Sequence, residues 1–287
     1  MGLKNIERTV LKNPSNFRKL AMGNWDGIGD PQVYGVLEID CEKPIEYIEE
    51  IRQKYDVKLT INHLVGKAVA MMLQKFPKLN GVIANGKIYL RKNVDIFFQV
   101  GIEGAETELV GICIKNADQK GILEFARQVN KKSEAVRASA EHPMRKAQMP
   151  FRHIPWRIVP WVVKFMNWLQ FDWNLNLSWL GIPRDPLGSI MITSVGTLGM
   201  EMIFVPLTHI GRTPAQIAVG KINKKAVVVD DKIVIRPKIN LCCTFDHRFM
   251  DGILAAKMAH YLTDLLENID KHKELFEANT LENKEEE

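Results

Sequence analysis

The sequence predicts an α+β fold in which helices pack on a sheet, and three observations predict it. Strand-like and helix-like stretches alternate along the chain. Asn85-Gly86 stands between Val82-Ile83-Ala84 and Lys87-Ile88-Tyr89-Leu90, a strong hairpin signal because a type I′ turn needs positive φ at both central residues. The apolar run Ile239–Phe245 hands over to a stretch in which Met258, Tyr261, Leu262 and Leu265 recur at helical spacing.

Taken in order, Gln32–Asp40 is rich in β-formers, and Pro44 is expected to open a helix through Tyr55, since proline is tolerated in a first helical turn. Thr60 is a good helix cap. After it, Leu64, Ala68, Met71 and Lys75 recur at helical spacing, with Val65, Val69 and Met72 widening the apolar face, so that helix should be deeply buried. Strands are expected at Val94–Gly101 and Leu109–Ile114, then a helix over about Gly121–Ala138. Asp230-Asp231 reads as a turn between Ala226–Val229 and Ile233–Ile235, and the helix through Leu265 is expected to be the last. Past Ile269 the chain becomes charged and ends in three glutamates, which reads as a solvated tail.

A chain of 287 residues is long enough for a sizeable core, and one large domain is the expectation. The net charge of +5 is spread without a basic run, which gives no nucleic-acid footprint and only a weak preference for anionic ligands. Cys41, Cys113, Cys242 and Cys243 lack metal-ligand spacing and read as reduced core residues. Adjacent Cys242 and Cys243 in a strand would point to opposite faces. No charged-then-apolar leader precedes Asn5, so a cytoplasmic protein is expected.

The segment from about 141 to 186 has a different character. It holds five of the six tryptophans, at 156, 161, 168, 173 and 179. Arg157, Lys164 and Asp172 interrupt its apolar runs, and Pro155, Pro160 and Pro183 break helix, so it is not a membrane span. Three readings stand: a structural cover or subunit contact, a wall of a substrate pocket, or a surface that touches a membrane interface.

Asp246-His247-Arg248-Phe249-Met250-Asp251-Gly252 places a histidine between two carboxylates where a strand hands over to a helix. This segment matches the His-x-x-x-Asp-Gly signature of the chloramphenicol acetyltransferase-like fold, and its Asp-His-Arg-x-x-Asp-Gly form resembles the catalytic domain of 2-oxoacid dehydrogenase dihydrolipoamide acyltransferases. Other blocks resemble that family in the family's order. They are Ser15 to Ala21, Lys67 to Asn80, Lys92 to Ile96, Lys115 to Asp118, Gly188 to Gly199, Pro214 to Gly220 and Ala226 to Asp231. The resemblance lapses over 141–186. It implies a two-layer α+β sandwich with a mixed sheet covered by helices. Residues 1–270 would form the acyltransferase domain, interrupted by the Trp-rich insertion, and 271–287 the charged tail.

The resemblance also implies roles. Thioester acyl transfer needs a base for the incoming nucleophile and a donor for the oxyanion. His247 would be the base, since an imidazole titrating near ~6.5 is largely unprotonated at neutral pH and suits a thiol of pKa about 8.5. The family holds the oxyanion with a hydroxyl in Gly-x-Phe-Thr-x-Ser-Asn-x-Gly, and aligning the glycines on Gly188–Gly196 puts Thr193 at the serine and Ser194 at the asparagine. A slip of one residue would bring Ser194 into the role. Asp251 would tune the imidazole or, by the fold's pattern, pair with Arg18 of the first helix. Arg248 lies within the motif, and Gly252 would let the chain turn into the helix. His63, His142, His153, His209, His260 and His272 lack such surroundings and read as structural or surface groups.

No metal is called for. The implied cofactor is coenzyme A or its acyl thioester. Lipoyl domains and linkers are not seen ahead of the first family block, so a stand-alone member is expected, with any lipoyl group or acyl carrier on a separate protein. The family's active sites lie between subunits, which implies a homotrimer. Two rivals are a catalytically silent trimeric subunit that organises dehydrogenase partners, and a peripheral membrane enzyme acylating a lipid acceptor through the insertion.

Overall fold

A computed structural model describes residues 4–10, 12, 31–101, 109–138, 155, 157–208 and 211–278. The expected first helix and Arg18 lie outside the described residues, as do His142, His153, His209 and Trp156. A larger sheet is built from β2 (Gln32–Asp40), β5 (Ile96–Gly101), β6 (Leu109–Ile114), β7 (Ile190–Ser194), β8 (Ala215–Val219), β9 (Asn223–Val229) and β10 (Lys232–Asp246). Its order is β2-β10-β8-β7-β5-β6, with β9 paired to the first half of β10. β7 runs parallel to β5 and β8, while the other pairings are antiparallel. A smaller sheet joins β1 (Arg8–Val10), β4 (Lys87–Arg91) and β3 (Gly81–Ala84) in that order.

One face of the larger sheet is covered by α1 (Glu42–Tyr55), α2 (Ile61–Lys75), α3 (Ile122–Ala138) and α5 (Gly252–Glu267), all of which contribute to one apolar core with the sheet. The strand pattern explains which face is covered. On β2, Leu37 and Ile39 join that core while Tyr34, Val36 and Glu38 on the alternate face are exposed. β8, parallel to β7 and antiparallel to β10, is buried along its whole length, as strands covered on both faces are. Eleven of the fifteen residues of α2 are buried, the pattern of a helix apolar nearly all round. Phe98 and Phe125 meet edge to face at 5.9 Å where β5 faces α3.

Three of the sequence blocks meet at Asp95. Its carboxylate takes Lys115 Nζ at 2.8 Å and the Asn116 N–H at 3.0 Å, and its backbone N–H donates to Ser189 Oγ at 3.0 Å. Gly188 then must be glycine. Its φ is +61°, and a Cβ there would run into the Asp95 backbone.

Several expectations need correction. α1 begins at Glu42, with Pro44 in its third position. Ile233–Ile235 and Ile239–Phe245 belong to one fifteen-residue strand, because Pro237 sits where its carbonyl, not its missing N–H, is used, accepting from Cys41 N–H at 2.8 Å. The chain past 270 is also ordered further than its charge implies. α6 (Lys273–Glu277) follows α5, with Phe276 fully buried and tilted against Tyr47 at 6.3 Å, so one aromatic anchors a polar segment. Residues 279–287 lie outside the described residues. Asn85 (φ 49°) and Gly86 (φ 66°) make the expected turn, and Asp230 and Asp231 make the second. The four cysteines are free, with Cys242 and Cys243 facing opposite sides of β10.

The described part of the insertion is α4 (Val159–Asn167), a π-helical turn at Trp168–Asp172 and a 3-10 turn at Ser178–Leu180. Its underside is tied down. Phe171 is fully buried with Ile6 and Val82. Asp172 takes Arg212 Nη2 at 2.7 Å and the Asn85 N–H at 2.8 Å. Burial would raise that carboxyl, but Arg212, Asn85 and Arg8 hold it below the usual range. At the far end, Asp185 forms a buried ion pair with Arg91 at 3.0 Å.

Candidate active site

β10 delivers the Asp-His-Arg-x-x-Asp-Gly segment at its C-terminal end. Asp246 is the last strand residue and its N–H donates to Pro214 O at 2.9 Å. The next N–H, of His247, donates to Pro31 O at 2.9 Å, so the histidine is held by main chain where β10 leaves the sheet. The Asp246 carboxylate is engaged by the arginine of the motif. It is buried, accepts the Arg248 N–H at 2.9 Å, and binds the guanidinium through Nε at 3.0 and 3.1 Å and Nη2 at 2.7 Å. Phe249 and Met250 then dive into the protein, which pins both sides of the turn.

Asp251 is the N-cap of α5. Its backbone is extended and its Oδ1 accepts from Leu254 N–H at 2.9 Å, as a short acidic side chain does at a helix start. The expected partner Arg18 is outside the described residues. Gly252 is corrected: it is exposed, and a Cβ there would meet nothing within 4 Å, so the turn into α5 does not need glycine.

Thr193 and Ser194 close β7, and their register separates them. Thr193 is level with Ala218 and through it with Cys242, on the face away from the helices, where Gln99 of β5 is its other neighbour. Ser194 is level with Val219 and Leu241, which belong to the core beneath the helices. Thr193 is also remote from His247 of its own chain. Cys242 precedes Asp246 by four residues, ~13 Å at about 3.3 Å per residue, with two strand spacings to cross as well.

A cleft of about 930 Å³ lies beside the motif. Its walls include Asp246, Arg248 and Phe249, the β3–β4 turn at Asn85-Gly86, Arg212, and the α4 residues Val163, Lys164 and Asn167. A second cavity, about 270 Å³ and almost wholly apolar, lies between β2, β10 and α5 and reaches Phe245 and Met250. Among the described residues no group of three His, Cys, Asp or Glu is placed to hold a metal ion, and no helix is long and apolar enough to cross a membrane.

Other histidines take structural places. His63 is buried at the start of α2, where Nδ1 accepts the Thr60 N–H at 3.1 Å and completes the helix cap. Burial, with Lys58 and Arg52 nearby, pushes its imidazole down to about 4. His272 pairs with Asp264 at 2.9 Å. Sequence reasoning missed the Asp246–Arg248 lock and a buried polar pair on the sheet face away from the helices: Gln216 and Thr244 are cross-strand neighbours whose side-chain polar atoms lack partners among the described residues. It also missed Lys67, buried inside α2 with its amine on Asp118 O at 3.0 Å and pushed down to about 8 by that burial. Polar residues within apolar runs are the only signal for these.

Comparison with known proteins agrees with this layout. The family described as 2-oxoacid dehydrogenases acyltransferase (catalytic domain) matches residues 28–146 and 187–273, leaving out most of the aromatic insertion. The lipoamide acyltransferase component of the branched-chain alpha-keto acid dehydrogenase complex of Bacillus subtilis (strain 168) is 24% identical over 257 residues, covering 86% of this chain and 49% of that protein. The chain thus spans about half the length of the curated relatives it matches. Among solved structures, a probable dihydrolipoamide acetyltransferase from Listeria monocytogenes 4b F2365 superposes with a TM-score of 0.62 at 23% identity, covering 90% of this chain and 95% of the other. A chloramphenicol acetyltransferase superposes with a TM-score of 0.51 at 14% identity, covering 91% of this chain and all of the other. The fold is therefore of the chloramphenicol acetyltransferase-like type.

Proposed function

Because the chain belongs to the 2-oxoacid dehydrogenase acyltransferase catalytic-domain family, we propose that it is a coenzyme A-dependent acyltransferase working by direct general-base catalysis. The observation that carries this reading is the placement of His247, held by Pro31 at the end of β10 and flanked by the locked Asp246–Arg248 pair. In this reading the imidazole takes the proton of an incoming thiol as its sulfur attacks the acyl thioester. The proton passes to the departing thiolate as the tetrahedral intermediate collapses, so no acyl-enzyme forms.

The oxyanion of that intermediate is held by the Thr193 hydroxyl of a neighbouring copy. Two features support the sharing. A chain's own Thr193 is on the wrong level of the sheet to reach its own His247, and Thr193 is half-buried on the face away from the helices. Ser194 lies toward the helix layer and is the weaker candidate. Apolar residues left exposed on the β9–β10 ribbon, Val228, Ile233 and Ile235, support self-association. The assembly we propose is a homotrimer, cytoplasmic, with the acyl acceptor a lipoyl group or another thiol on a separate molecule.

The test is incubation of the full chain with a panel of acyl-CoAs and dihydrolipoamide, with products read by mass spectrometry. Acyl-dihydrolipoamide formed by the wild type and not by His247→Ala supports the reading. Absence of transfer with every acyl-CoA and a thiol acceptor would return the chain to the rival role of a silent subunit.

A further inference from the structure

The insertion presents aromatic side chains to solvent from a rigid mount. On α4, Trp161 is 73% exposed and Phe165 55%, one turn apart, and beyond the helix Trp173 is 62% exposed. Trp168 links them, with ring centroids 5.9 Å from Phe165 and 5.5 Å from Trp173. Loose placement does not explain this exposure. Directly beneath, Phe171 is fully buried and Gln170 Nε2 donates to Pro183 O at 2.8 Å.

The charge around the patch has one sign. Residues 157–184 contain three bases and one acid; Asp172 is taken by Arg212 and Arg184 by Glu7, and Arg157 and Lys164 set the sign beside the aromatics. Lys164 stands 5.7 Å from the Trp161 ring, so a cation and an indole share one exposed edge. Two copies docking through this face would bring the same bases together, which disfavours self-association here. An anionic bilayer suits both components: indole rings settle at the headgroup level, and basic side chains meet lipid phosphates.

We propose that α4 and the turn after it form a docking surface for anionic lipid bilayers, with Trp161, Phe165 and Trp173 among the headgroups and Lys164 facing the phosphates. The helix lies on the surface and does not cross it. The same helix walls the cleft that ends on Asp246 and Arg248, through Val163, Asn167 and also Lys164 and Trp168 at the edge of the patch, so docking sets the mouth of that cleft beside the lipid.

Flotation of the full chain with vesicles of phosphatidylcholine, with and without phosphatidylglycerol, tests this without any turnover and so stands apart from the acyl-transfer reading. The wild type is expected to float with the anionic vesicles, to be released by salt, and to have its tryptophan emission quenched by brominated lipid. The double variant Trp161→Glu/Phe165→Glu, at exposed positions, is expected to keep its melting temperature and oligomer size while floating at least about tenfold less. A wild type that stays in the soluble fraction, or a double variant that floats as well as the wild type, overturns the proposal. A double variant whose oligomer size changes identifies a protein interface instead.

Discussion

His247 lies five residues beyond Cys242, the β10 residue level with Thr193, so each chain carries its own imidazole and its own hydroxyl to different ends of one sheet. Mixing should therefore rescue activity. His247→Ala subunits and Thr193→Val subunits, each inactive alone, are expected to regain turnover when combined, because hybrid interfaces unite an intact base with an intact donor. Acyl transfer measured after subunit exchange checks this. A dilute monomer turning over at the wild-type rate would remove the shared site.

His247→Ala alone is expected to lose at least ~10²-fold in turnover, the lower end of what general-base catalysis contributes. The melting temperature should stay close to wild type, since the backbone N–H of residue 247 still donates to Pro31 O in the variant. Steady-state rates and thermal unfolding on the same preparation separate the two effects.

For the donor, Thr193→Val is expected to lower kcat by about 10²–10³ with little change in KM for acyl-CoA, and Thr193→Ser to retain activity. Ser194→Ala should be nearly silent, given its position toward the helix layer. The reverse pattern in these three variants would move the donor to Ser194.

His63 gives a pH dependence of stability. Its pKa is depressed from the ordinary ~6.5 of a free imidazole to about 4 by burial. Between those values the unfolded chain binds a proton that the folded chain does not. The stabilisation is thus complete above ~6.5 and is lost as pH falls toward about 4, on the order of a few kcal/mol. His63→Gln keeps an acceptor for the Thr60 N–H and removes the titration. Denaturant melts across this range should lose that part of their slope in the variant.

Asp185→Asn tests how the insertion is fastened. Arg91 and Asp185 are both buried, and removing one charge leaves the other uncompensated at a cost of about 3–5 kcal/mol. Asparagine tolerates the positive φ of 40° at this position, so a fall in melting temperature reports the lost charge and not the backbone.

Much of this was readable in the sequence because it rests on local rules. The type I′ turn at Asn85-Gly86 follows from φ alone, and the buried run of α2 follows from periodicity. His247 and Thr193 were legible only through the spacing of a motif and its glycines. What stayed hidden depends on how side chains are turned and on distant pairing. Asp246 reads as a second carboxylate beside the histidine until Arg248, two residues on, is found bound to it. Phe276 reads as part of a charged tail until Tyr47, more than two hundred residues earlier, is seen against it. Gly252 shows the converse: a motif glycine whose surroundings leave room for a side chain.

For the acyl transfer proposed above, the state of the cysteines matters. Burial pushes Cys41, Cys113 and Cys243 up to about 12 and raises Cys242 as well. Acyl-CoA reacts with thiolates, not thiols, and at neutral pH these side chains hold their protons. In the proposed reaction these thiols are thereby shielded from the acyl donor, which leaves it to the acceptor.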